Sequence, residues 1–356
     1  QRADAADFVC FIFKQDILER EEESQMKRVA VLFTGGTIGS RTLDAQTLDL
    51  GKVPYTLLTQ YQEECPRQPV SFLTGEPLQL LSENMHPQHW IAMARAVRAL
   101  PLLELAGVIL THGTDTLAYS AAALSLLLCD LSLPVLLVSS HYPLEDERQN
   151  GRQNFRAAVD FILQAGAPGV YVPICQQGET HYHEGSRLMQ AQGLTHLFSS
   201  AGGPAGRWEA GKVSLWRKAP SPACLPFGPD PKASGEIVTI LPHPGLQYRY
   251  FSFADHPPKA VLHLLYHSAT ACTLSPFGPG SDAAAFVRDC TRRGIPVYLA
   301  PIAGKAGRYP STGILEQAGA LPLYNQTPEA AYARLSLAYG TFEKDPAAAR
   351  QAALSG

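Results

Sequence analysis

The feature that most constrains the fold is a rhythm. From Val29 onward, short apolar runs rich in β-branched residues alternate with longer segments of helical period. The runs fall at 29–33 ("VAVLF"), 107–111 ("GVILT"), 134–139 ("PVLLVS") and 169–175 ("GVYVPIC"). Between them lie "HPQHWIAMARAVRAL", with Ile91, Ala94, Val97 and Leu100 on one face, then "TLAYSAAALSLLL" and "GRQNFRAAVDFILQAG". Each is long enough to be a crossover helix. Near-continuous apolar strands joined by helices specify the α/β class: a larger N-terminal, doubly wound parallel-sheet domain with right-handed crossovers. Its ligand loops gather at the carboxyl ends of the strands.

The pattern breaks at 199–235, which is dense in Gly and Pro and is expected to carry a short hairpin at "RWEAGKVSLW". A second, smaller α/β set follows, with strands near 237–241, 260–266 and 296–301 and helices near 281–293 and 328–339. We therefore expect a domain at 27–205, a linker at 206–235 and a C-terminal α/β domain at 236–345. Residues 1–26 are expected to be an extension outside the fold, since "MKRVAVLF" reads as a natural start and the acidic run 19–23 as a solvated helix face.

Among 356 residues, 46% are apolar and 17% charged, and the net charge is -3. No basic excess favours nucleic acid or an anionic membrane, so neither is an expected partner. The seven cysteines are odd in number and never spaced as CxxC, which argues against a disulfide framework and a zinc site and for a reducing, cytoplasmic setting. The apolar piece 8–13 is too short and too acid-flanked for a secretory signal.

Two stretches share one grammar. "VLFTGGTIGS" places Thr34, Gly35, Gly36 and Thr37 after a strand, and "VILTHGTDTL" places Thr111, His112, Gly113, Thr114, Asp115 and Thr116 after another. "GGTIG" matches neither dinucleotide nor P-loop fingerprints, which opposes a phosphate cradle. The threonines have an ordinary reading as caps and turn residues. A threonine hydroxyl beside a Gly-Gly turn also has the makings of a nucleophile with free backbone donors for an oxyanion.

"TGGTIG" and "THGTDT", in this order and each after a strand, resemble the two signature motifs of the L-asparaginase family. The likeness runs from about 27 to 339, and "TLAYSAAALSLLL" looks most like the cytoplasmic, type I branch. The resemblance implies that Thr37 is the primary nucleophile, Thr114 the second threonine and Asp115 the anchor of the substrate α-ammonium. It further implies that Ser82 and Glu83, in "LLSENM", hold the α-carboxylate and neighbouring groups, with Gly36 lining the pocket. The reaction implied is hydrolysis of L-asparagine or a related small amide through an acyl-enzyme, with no cofactor and no metal. A homodimer or homotetramer is implied too, in which "YHSATACTLSPFG" faces a partner's site.

The sequence departs from that pattern twice. The family places a lysine after the strand matching "GVYVPIC", but "QQGETHYHEGSRLMQAQGLTHLF" has none, and Arg187 cannot act as a base. The family's loop tyrosine is missing from "SRTLDAQTLDLGKVPY", which offers Thr42, Thr47 and Asp49, with Tyr55 farther along. His181, His183 and Glu184 could stand in for the lysine, Lys305 could arrive from elsewhere, or "HYHE" could be a solvated loop. A His181–His183 metal pair lacks a third ligand by spacing, and His112 reads as structural. Three readings stay open: an active amidohydrolase, a catalytically impaired protein that binds an amino acid, and the ammonia-producing subunit of a tRNA-dependent amidotransferase.

Overall fold

The computed structural model describes residues 26–36, 38, 41–44, 47–49, 54–219, 227–275, 278–304 and 309–355, with backbone alone at 41–44, 47–49 and 54–55. In chain order, the first part comprises β1 (Lys27–Leu32), a hairpin of β2 (Arg41–Asp44) and β3 (Thr47–Asp49), α1 (Pro54–Glu64), β4 (Val70–Gly75), α2 (Pro87–Arg98) and β5 (Gly107–Thr111). It continues with α3 (Leu117–Leu127), β6 (Pro134–Val138), α4 (Gly151–Gln164), β7 (Gly169–Gln176) and β8 (Glu179–Glu184). The short pair β9 (Leu188–Met189) and β10 (Ser199–Ser200) precedes β11 (Gly206–Glu209) and β12 (Lys212–Leu215). The main sheet has the order β12-β11-β8-β7-β6-β5-β1-β4.

Its five parallel members run β4-β1-β5-β6-β7. The chain steps from β1 to one neighbour, then back across to the other. That reversal makes the carboxyl ends of β1 and β5 the topological switch point, where an open α/β sheet places its ligand crevice. The strands are apolar on both faces because helices cover both. Ala30, Leu32, Val108 and Leu110 pack with α2 and α3, whereas Val29, Val31 and Ile109 pack with α1 and α4. Removing that area from water, at about 25 cal/mol per Å², is what holds the layers together.

Two expectations need correcting. The segment 179–184, read in part as a solvated loop, is strand β8, antiparallel to β7, with Tyr182, His183 and Glu184 buried. The hairpin at 207–216 forms, but β11 pairs with β8, so the expected linker at 206–235 begins with two strands of the main sheet.

The C-terminal part comprises β13 (Ile237–Ile240), β14 (Ala260–Leu264), α5 (Ala283–Arg292), β15 (Val297–Ile302), α6 (Pro310–Gln317), β16 (Leu321–Tyr324), α7 (Pro328–Thr341) and α8 (Pro346–Leu354). Its four strands lie in sequence order and are all parallel. Helix α7 starts where Thr327 caps it, its side chain accepting from Ala330 N at 3.1 Å with Pro328 in the first turn. Its small buried residues Ala330, Ala331 and Ala333 let it pack against α3 of the first domain and β14 of its own sheet. No helix of the described residues is long and apolar enough to cross a membrane.

Candidate active site

The loop after β1 turns through Gly35 (φ +97°) and Gly36 (φ +84°), a region L side chains rarely enter. A methyl group on Gly36 would lie 2.3 Å from Gly113 N and 2.6 Å from the His112 carbonyl carbon. The two signature loops therefore touch backbone to backbone across the switch point. They are also laced by hydrogen bonds. Thr34 N donates to Thr111 Oγ1 at 3.1 Å, and Thr34 Oγ1 donates to the Thr111 carbonyl.

The third wall is the turn at Ser82–Asn84. Gly36 N donates to the Leu80 carbonyl at 3.1 Å, which pins this turn to the first loop. Ser82 is buried; its Oγ accepts from Asp115 N at 3.2 Å and lies 3.5 Å from Asp115 Oδ2, while Thr116 Oγ1 donates to the Ser82 carbonyl at 2.9 Å. The structure thus brings Gly36, Ser82, Thr114 and Asp115 together. Glu83 is exposed beside them, Thr114 is half-buried and Asp115 is exposed to solvent. Thr37 lies outside the described residues. Two exposed carboxylates, with no cation among the described residues of these loops, make the rim attractive to an ammonium group.

His112 is fully buried, its Nδ1 2.7 Å from the Gly113 carbonyl oxygen, and burial pulls its pKa down to about 4. A neutral ring held in this way supports the loop rather than cycling protons near neutral pH.

The space beside Thr114 is filled by a residue that spacing does not single out. Gln190, just after β9, donates from Nε2 to the Thr114 carbonyl at 3.1 Å, and its backbone N donates to Glu329 Oε1 at 2.8 Å. Glu329 is buried in the first turn of α7, and burial raises its carboxyl pKa. Gln190 Oε1 and Glu329 Oε2 are buried with no hydrogen-bond partner among the described residues. A cleft of about 200 Å³ lined by Met85, Thr116, Tyr119, Thr239 and Tyr332 opens next to this loop and spans both domains.

The expected substitutes for the lysine go elsewhere. His183 Nδ1 is 2.7 Å from Ser200 Oγ, His181 sits 3.8 Å from Glu179, and Glu184 is paired with Arg187 and Arg217. Burial brings the His183 pKa to about 4. Lys305 and the side chains of Thr42, Thr47, Asp49 and Tyr55 lie outside the described residues.

A family profile described as "Asparaginase, N-terminal" matches residues 28–221, more than half the chain. The L-asparaginase of Thermococcus kodakarensis is 27% identical over 325 residues, covering 88% of this chain and 93% of that protein. Its solved structure superimposes with a TM-score of 0.76 at 25% identity, covering 92% of this chain and 96% of that one. A glutamyl-tRNA(Gln) amidotransferase subunit of Pyrococcus horikoshii is 25% identical over 338 residues, covering 90% of this chain and 74% of that protein. The profile match falls on the domain whose two loops meet at Gly36 and Gly113, and the likeness to the thermococcal protein runs through both sheets. The chain belongs to the asparaginase family.

Proposed function

We propose that this protein hydrolyses the side-chain amide of L-asparagine or a related small amino-acid amide, releasing ammonia and leaving aspartate or its analogue. The observation that carries the reading is the contact of Gly36 with the His112–Gly113 backbone, because the next residue on each loop is a threonine. Thr37 and Thr114 then act on one small molecule. Asp115, held by Ser82, takes the α-ammonium, and Ser82 with Glu83 completes the amino-acid grip.

In the first step the Thr37 oxygen adds to the amide carbon, and the hydroxyl proton is passed on to the amide nitrogen. The C–N bond then breaks and the nitrogen departs as ammonia. Water adds to the resulting ester, the Thr37 oxygen is released with a proton, and the carboxylate product forms. No step needs a metal or cofactor. A homodimer or homotetramer working in the cytoplasm is part of the proposal; the five described cysteines, none of them in a disulfide, support the setting.

A second reading has its own observation. Gln190 beside Thr114 carries a neutral amide, which positions a carbonyl but accepts no proton at neutral pH. A protein that binds aspartate without turning over asparagine fits that feature. The test is ammonia release from asparagine, glutamine and small β-amides by the wild type and by Thr37→Ala, with calorimetric titration of aspartate. Turnover lost in Thr37→Ala supports the hydrolase; aspartate binding with no ammonia from any amide supports the binder.

A further inference from the structure

Behind the site, between the two domains, lies a cavity of about 490 Å³ lined by Ser125, Leu126, Val170, Arg187, Ala330 and Arg334 among others. That volume is in the range of small-ligand pockets. Among the described residues its lining holds two guanidinium groups and no carboxylate. Arg187 shares Glu184, 3.3 Å away, with Arg217, and donates to the Ala201 carbonyl. Arg334 has no ion pair among the described residues; it donates to the Ser355 carbonyl at 2.6 Å. Burial lowers its pKa. A half-buried guanidinium with no carboxylate paired to it among the described residues leaves room for one negative group.

Three of the segments lining this cavity adjoin residues of the candidate active site. Helix α3 contributes Ser125 and Leu126 and follows Thr114 and Asp115; α7 contributes Ala330 and Arg334 next to Glu329; Arg187 stands three residues before Gln190.

We propose that this interdomain cavity binds a small monocarboxylate with an apolar tail, and that its occupancy is linked through α3, α7 and the 187–190 turn to ligand affinity at the Thr114–Asp115 site. Only the linkage rests on the proposed function; binding in the cavity stands apart from it. The carboxylate meets Arg334 while the tail lies against Leu126 and Val170.

The test titrates the full chain with sodium hexanoate, and with 1-hexanol as an uncharged counterpart of the same tail. Saturable binding of one hexanoate per chain is expected, at least tenfold tighter than hexanol, with shifts of the Leu126 and Val170 methyl resonances locating it. Arg334→Gln should weaken hexanoate at least tenfold and leave hexanol unchanged. No saturable hexanoate binding, binding that Arg334→Gln leaves intact, or methyl shifts elsewhere in the protein overturns the site. For the linkage, the aspartate dissociation constant should change at least threefold at saturating hexanoate, with the reciprocal change in hexanoate affinity. An unchanged constant overturns the linkage, whereas no aspartate binding in either condition refutes the amino-acid site and leaves the cavity standing on its own data.

Discussion

Replacing Gly36 with alanine tests the meeting of the two loops directly. The new methyl would start 2.3 Å from Gly113 N, whereas ordinary contact begins near 3.4 Å, so the loops must part by about 1 Å. The left-handed backbone adds roughly 1–2 kcal/mol for any L side chain. Separation strains the Gly36 N bond to Leu80 and the Ser82–Asp115 bond, at about 1 kcal/mol each. The total is about 3–4 kcal/mol of lost stability. Gly178→Ala is the control, because Gly178 has φ +83° but open space within 4 Å, so it carries the backbone strain alone, about 1–2 kcal/mol. Urea denaturation of both variants gives the difference. Ammonia release should fall by about 100-fold in Gly36→Ala, as expected for a 1 Å displacement of reacting groups, and stay near wild type in Gly178→Ala. Equal destabilisation of the two variants, with full activity in Gly36→Ala, would refute the argument that this contact builds the site.

Ser82→Ala removes the hydroxyl that holds Asp115, so aspartate affinity should drop about tenfold by calorimetry with stability lowered by only about 1 kcal/mol; unchanged affinity contradicts the anchoring role. Gln190→Lys puts an ammonium beside the Thr114 carbonyl, where the Gln190 amide now donates, and kcat for ammonia release should rise about tenfold or more, a fall being the adverse result. Burial holds His112, His183 and His263 at about 4, below the free value of 6.5. The unfolded chain therefore binds more protons between those limits, and the stability present above pH 6.5 should be lost as pH falls toward 4. The loss is worth up to about 3 kcal/mol per site, and urea midpoints that stay flat from pH 7 to 4.5 would contradict it.

The legible parts of the fold are those in which one face of a strand cannot be told from the other. β1, β5 and β6 are buried on both sides, so their unbroken apolar runs announce them. β4 is not legible: every residue of "VSFLTG" is only half-buried at the sheet edge, and Ser, Thr and Gly hide the period. β8 misleads because its polar residues are paired over long distances, Glu184 with Arg217 and His183 with Ser200, so burial of "HYHE" is a tertiary fact. At the site, the glycine-hydroxyl turns identify two walls and "LLSENM" a third. Gln190 escapes a reading by spacing because its partner Glu329 lies 139 residues away and reads locally as an ordinary first-turn acid after a Thr-Pro cap. Spacing encodes contacts along one element, not those between domains.

Helix α7 carries a last implication. One continuous set of buried side chains runs from Ala30 and Leu110 of the main sheet through Ala331 and Leu335 of α7 to Leu262 and Tyr298 of the second sheet. Neither half can be peeled away without opening that shared interior to water. Calorimetric heating should register one cooperative melting event rather than two, and a fragment ending before residue 236 should be molten, even though every segment matched by the family profile would still be present in it.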